Sequence, residues 1–111
     1  LSDTIGTASP KAIRDAFADL LPSLPQTEIG AHLHASPFEW AEKTKAAFES
    51  GCRRFDGAIR GIGGCPMAND ELVGNLPTEK LVEWAESIGV WAVKDQRAWA
   101  QAQSISAELF G

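Results

Sequence analysis

Ile29-Gly30-Ala31-His32-Leu33-His34, followed closely by Ser36-Pro37-Phe38-Glu39, is the stretch on which the fold turns. The first six residues read as a short strand with polar groups at alternate positions, because a strand sends successive side chains to opposite faces. The next four have the form of a capping box, with Ser36 as cap and Glu39 reaching back. The helix they open is expected to carry Phe38, Ala41 and Phe48 and to stop at Gly51. A strand running into a helix in this way is one βα unit.

The same unit recurs on both sides. Upstream, Leu1 to Gly6 reads as the end of a strand and its loop. Ser9-Pro10 then starts a helix, with Ser9 capping and Pro10 at the first helical position. Ile13, Ala16, Phe17 and Leu20 give that helix one buried stripe, and Pro22 and Pro25 end it. Downstream, Arg54 to Ile59 reads as a third strand leading into Gly61-Ile62-Gly63-Gly64-Cys65-Pro66 and a longer loop through Asn75. Helices follow from about Thr78 to Ile88 and from about Asp95 to Leu109.

A strand-to-strand spacing of about 30 residues is that of βα repeats. Such repeats build parallel sheets, whose strands are covered on both faces. With 111 residues there are about three such units, whereas a closed (β/α)8 barrel takes roughly 200–250 residues. The expected architecture is therefore α/β: a single incomplete domain over 1–111, three βα units of a TIM barrel followed by further helices. The start at Leu1, in mid-pattern, points the same way. Such a segment taken alone is expected to be aggregation-prone, and a cooperative, monomeric thermal transition would contradict that.

Composition narrows the function. Net charge is −5 and the basic residues are scattered, which argues against nucleic-acid binding and against docking on anionic membranes. No run approaches the roughly 20 apolar residues of a membrane span. Two cysteines, Cys52 and Cys65, are too few for a disulfide framework; reduced thiols in a cytosol-like compartment are the simpler reading.

His32 and His34 are the only histidines. At i and i+2 of a strand they leave the same face, where two neutral imidazoles can share one divalent ion. They can equally be two hydrogen-bonded polar residues at a strand end. Their place at the C-terminal end of the strand, where barrel active sites gather, brings the ligand reading level with that one. Cys65 follows Gly63-Gly64; a thiol shown by such a loop can act as an acid or base, or can be inert. Asp3 can orient a substrate or cap its own loop. Asn75 offers a carbonyl oxygen to a hard cation, or simply turn chemistry before Pro77. The four tryptophans, Trp40, Trp84, Trp91 and Trp99, lie in or beside helices and read as packing residues.

Five stretches taken in order resemble the HMG-CoA lyases of the DRE-TIM metallolyase superfamily. They are Leu1-Ser2-Asp3-Thr4-Ile5-Gly6, Gly30-Ala31-His32-Leu33-His34, Phe55-Asp56-Gly57, Gly61-Ile62-Gly63-Gly64-Cys65-Pro66-Met67-Ala68 and Gly74-Asn75-Leu76-Pro77-Thr78-Glu79. The resemblance implies the C-terminal part of the barrel. His32, His34 and Asn75 would hold a divalent metal, Mg²⁺ or Mn²⁺; Cys65 would be the catalytic thiol and Asp3 would line the substrate site. It implies cleavage of 3-hydroxy-3-methylglutaryl-CoA to acetyl-CoA and acetoacetate, with an acyl-CoA as substrate and N-terminal barrel strands as structural partner. A homodimer stays open, and the compartment would be the cytosol, or the mitochondrial matrix in a eukaryote.

Two departures stand out. Where the family has Asp-Thr after the second histidine, this chain has Ala35-Ser36, and the usual asparagine of the next helix is Lys43. The alternatives are a related condensing synthase of the citramalate or isopropylmalate type and a degenerate, non-catalytic barrel.

Overall fold

A computed structural model describes residues 1–64 and 73–111. Along the chain come β1 (Ser2–Asp3), α1 (Pro10–Ser23), β2 (His32–Ala35), α2 (Trp40–Glu49), a 3-10 turn at Ile59–Gly61, β3 (Gly74–Asn75), α3 (Thr78–Ser87) and α4 (Gln96–Phe110). It is a small α/β unit. The three-stranded sheet has the order β1-β2-β3. β1 runs parallel to β2, pairing Ser2 with His32 and Asp3 with Leu33.

The pleat of β2 sorts its residues. Ala31, Leu33 and Ala35 join the buried core with Ile13 and Phe17 of α1 and Ala46 and Ala47 of α2. His32 and His34 alternate with them and so leave the opposite face. The two alanines of α2 let the helices close in, and Phe17 is sealed from solvent between them. Full burial of such a side chain contributes about 1.5–3 kcal/mol. Ser9 caps α1, its Oγ accepting from the Ala12 amide at 3.1 Å, and Asp95 caps α4 by accepting from Ala98 at 2.9 Å. α1 continues through Pro22 to Ser23, so that proline sits in the last turn instead of ending the helix.

Three expectations are corrected. The expected strand Arg54–Ile59 is reduced to two isolated parallel bridges, Ala31 to Phe55 and Ala58 to Pro77, because the chain bends into a 3-10 turn in which Arg60 takes φ 63°. Asn75 is not in a loop: β3 pairs antiparallel with β2, placing Asn75 against His34 and Gly74 against Ala35. Finally, α2 does not bury Phe38 and Ala41. Phe38 is 84% exposed, and the buried residues of the helix are Lys43, Thr44, Ala46 and Ala47. The Ser36–Glu39 box forms only in part. Glu39 accepts from the Ser36 hydroxyl at 2.8 Å, and the helix proper begins at Trp40.

Trp84 packs as expected, edge-on to Phe48 at 5.1 Å and to Phe55 at 6.3 Å. Trp91 is half exposed, as are Ile105, Leu109 and Phe110 of α4. Among the described residues no helix is long and apolar enough to cross a membrane.

Candidate metal site at the end of strand β2

The sheet brings His32, His34 and Asn75 together. The imidazole centroids of His32 and His34 lie 5.1 Å apart, their planes at 77°. Asn75 enters through the β2–β3 register, which sets it opposite His34. His34 is buried, whereas the His32 side chain is about half exposed.

Each of the three has one polar atom engaged and one left over. Nδ1 of His34 lies 3.0 Å from the backbone oxygen of Asp3. A carbonyl can only accept, so that nitrogen carries the proton and Nε2 keeps its lone pair. Nδ1 of His32 faces the Asp56 carboxylate at a looser 3.5 Å, the kind of partner that orients a metal-binding imidazole. Asn75 donates its amide Nδ2 to the Ile62 carbonyl at 2.9 Å, which fixes the amide and, among the described residues, leaves Oδ1 unengaged. Two bare imidazole nitrogens and one amide oxygen fit a divalent cation that accepts mixed N and O donors. Among the described residues no group of three His, Cys, Asp or Glu side chains could hold a metal.

The glycine loop anchors Asn75 from behind. Its backbone amide donates to Gly63 O at 3.1 Å. A Cβ on Gly74 would meet Gly61 O at 2.6 Å, and one on Gly64 would meet Val73 O at 2.7 Å. Only glycine allows backbones to approach so closely. The two ends of the intervening segment are thereby held side by side. Cys65, the expected catalytic thiol, belongs to that segment and lies outside the described residues.

Asp3 is occupied. Its Oδ1 accepts from the Thr7 amide and its Oδ2 from the Ala8 amide, both at 3.1 Å. Oδ2 also accepts from the ammonium of Lys43 at 3.0 Å. The contacts with Thr7 and Ala8 are those of a loop cap. Lys43 Nζ donates further to Gly6 O at 2.9 Å and to His34 O at 3.0 Å. The side chains of Lys43 and Asp3 are only 2% and 7% exposed; removing one partner of such a buried pair typically costs about 3–5 kcal/mol.

Asp56 and Lys43 are the residues that sequence reasoning did not place at the site. Asp56 carried a signal, since it follows the residue that bridges to Ala31 and so sits beside His32. Lys43 carried none beyond its departure from the family pattern. The other thiol, Cys52, is buried under the sheet, its Sγ donating to Arg54 O at 3.1 Å. Burial pushes its pKa up, as befits an inert core cysteine.

A family model described as HMGL-like matches residues 1–106. Bovine mitochondrial hydroxymethylglutaryl-CoA lyase is 34% identical over 90 residues, covering 81% of this chain and 27% of that protein. The (R)-citramalyl-CoA lyase of Chloroflexus aurantiacus is 37% identical over 90 residues, covering 81% and 28%. Among solved structures, an Acinetobacter baumannii HMG-CoA lyase in complex with coenzyme A and 3-methylmalate superposes with a TM-score of 0.80 at 34% identity, over 96% of this chain and 35% of that one. The Pseudomonas aeruginosa enzyme gives 0.82 at 27% identity, over 100% and 37%. The chain thus spans a little over a quarter of the length of these curated relatives.

Proposed function

The chain belongs to the HMGL-like family, and we propose that it forms the C-terminal part of a TIM-barrel carbon–carbon lyase that cleaves a 3-hydroxy-acyl-CoA with the help of a divalent metal. The observation that carries this reading is the His32–His34–Asn75 cluster, in which one polar atom of each side chain is taken by the fold and, among the described residues, the other is left available. His32, His34 and Asn75 are the ligands this segment supplies. Mg²⁺ or Mn²⁺ suits the set, and such an ion supplies Lewis acidity toward the substrate hydroxyl.

The residues of this chain do the rest by position. Asp3 and Asp56 fix the two rings, Ile62 fixes the side-chain amide of Asn75 and Gly63 its backbone. With 3-hydroxy-3-methylglutaryl-CoA, the tertiary hydroxyl loses its proton and its oxygen becomes the ketone of acetoacetate. The adjacent carbon–carbon bond breaks, and its electron pair becomes the enolate of acetyl-CoA. Cys65, which follows the glycine neck in sequence, gives that enolate carbon its proton, and the proton released by the hydroxyl restores the thiol. General-acid catalysis of this kind is typically worth about 10²–10⁴ in rate.

The relative named for citramalyl-CoA supports a second substrate of the same class. Ala35, beside His34, leaves out the carboxylate that typical HMG-CoA lyases carry there, so substrate choice is where this chain has room to differ. Product analysis decides between them, acetoacetate from one substrate and pyruvate from the other, each with acetyl-CoA. In the whole protein, Cys65→Ala is expected to lower turnover at least about 100-fold, with Mn²⁺ binding retained. His32→Ala and His34→Ala are each expected to weaken Mn²⁺ binding measured by calorimetric titration. Unchanged binding in both would refute the ligand assignment.

A further inference from the structure

Lys43 stands outside the donor set, yet it is among the most deeply buried side chains of the unit. Its ammonium has three protons and meets three acceptors: Asp3 Oδ2 at 3.0 Å, Gly6 O at 2.9 Å and His34 O at 3.0 Å. A carboxylate and two carbonyls converging on one point call for a triple donor that also carries a positive charge, which an ammonium provides and an amide does not.

Two of these contacts bear on the same ring. The His34 carbonyl belongs to the ligand residue itself, and Asp3 is the residue whose backbone oxygen meets His34 Nδ1 at 3.0 Å. The third, Gly6, turns with φ 73° across the strand end, where an added Cβ would lie 3.4 Å from His34 O. From α2, then, Lys43 grips the backbone on both sides of the imidazole.

We propose that Lys43 is a positioning residue for the metal ligand His34, setting the direction of its Nε2 by holding together the two backbone segments between which the ring is hydrogen-bonded. This rests on the reading of His34 as a ligand. It differs from a purely structural brace in what it predicts: loss of Lys43 alters the ring and its metal affinity, not only the stability of the fold.

The test uses the whole protein with Lys43→Met and with the double variant Lys43→Met/Asp3→Asn, which removes both charges together. Mn²⁺ affinity is measured by calorimetric titration. The protonated ring nitrogen of His34 is read in the metal-free protein from long-range ¹H–¹⁵N spectra of labelled histidine. Lys43→Met is expected to weaken Mn²⁺ binding about 10- to 100-fold, the usual cost of losing an outer partner of a ligand, and to mix the His34 tautomers. The double variant is expected to regain thermal stability without regaining affinity. Should Lys43→Met fail to fold, the double variant decides. Folded variants that bind Mn²⁺ within about threefold of the parent, where about 10-fold or more is expected, and that keep the Nδ1 proton would overturn the proposal while leaving the ligand reading intact. If His34→Ala itself leaves Mn²⁺ binding unchanged, both fall.

Discussion

Replacing Gly74 by alanine probes a place where the metal-site geometry depends on two backbones touching. Gly74 lies in β3 next to Asn75, and its added Cβ would stand 2.6 Å from Gly61 O and 3.2 Å from Gly63 O. Both obstacles are main-chain carbonyls, so no flexible side chain can swing away. The glycine loop must retreat by about 0.4 Å to reach 3.0 Å and by about 0.8 Å to reach ordinary contact at 3.4 Å. The Asn75 amide donates to that same Gly63 carbonyl at 3.1 Å, so the retreat breaks or lengthens the bond that seats Asn75. Overpacking of this kind costs about 1–3 kcal/mol. At about 2–4 °C per kcal/mol for a protein of 150–250 residues, the thermal midpoint should fall by roughly 2–12 °C. A ligand displaced by a large fraction of an ångström should cost turnover about 10- to 100-fold. Calorimetry, Mn²⁺ titration and a cleavage assay on the whole protein read the three effects. Gly89→Ala is the matched control: Gly89 has φ +73° but nothing within 4 Å. It should lose about 1–2 kcal/mol through backbone strain and leave Mn²⁺ affinity untouched. A Gly74→Ala protein with parental midpoint and turnover would refute the tight neck.

Three further outcomes follow from the packing and the hydrogen bonds. Phe17→Ala empties a site with no solvent exposure and should destabilise by about 3–5 kcal/mol in urea unfolding; a loss below about 1 kcal/mol would mean that α1 and α2 are not held by this ring. Burial raises the Cys52 pKa above its ordinary 9.0, so above that pH the native state holds a proton that the unfolded chain has released. Stability should therefore be constant below the unfolded value and fall as pH rises through the folded one. Cys52→Ala should flatten that alkaline slope, and thermal midpoints that decline equally in both proteins would count against it. Asp56→Asn removes the charge behind His32 Nδ1 at a half-exposed pair. It should shift stability by less than about 0.5 kcal/mol while weakening Mn²⁺ binding by about 10-fold; an unchanged titration would free His32 from that partner.

The βα order, the Ser9 cap and the shared face of His32 and His34 were all legible in the sequence, because each depends on residues close along the chain. What was not legible depends on long-range contact. Nothing local to Gly74-Asn75 announces an antiparallel pairing with Ala35 and His34; the segment is too short to show alternation and carries the glycine of a loop. The buried face of α2 was not legible because it includes Lys43, which no apolar periodicity counts as interior. Phe38 was expected within the helix, and it stands exposed on the turn before it. The third strand failed for a different reason: the chain leaves the sheet for the 3-10 turn that leads to the glycine loop.

The Lys43–Asp3 pair also bears on the charge of the site. Asp3 meets His34 through its backbone oxygen, and its carboxylate is balanced by Lys43. At the position beside His34 where a further carboxylate would stand, the chain has Ala35. The donors proposed for a dication are thus two imidazoles and an amide, none of which brings negative charge, and Asp56 stands behind His32. A neutral donor set leaves the positive charge of a bound ion almost wholly uncompensated within the segment, which weakens its hold on the free ion and strengthens its pull on anionic oxygen. Affinity then depends on negative charge from outside these residues, either another part of the barrel or the substrate's own carboxylate and ionising hydroxyl. A hydroxy-acid thioester is the class of ligand that brings both, so the charge of the site and the reaction proposed for it select the same chemistry.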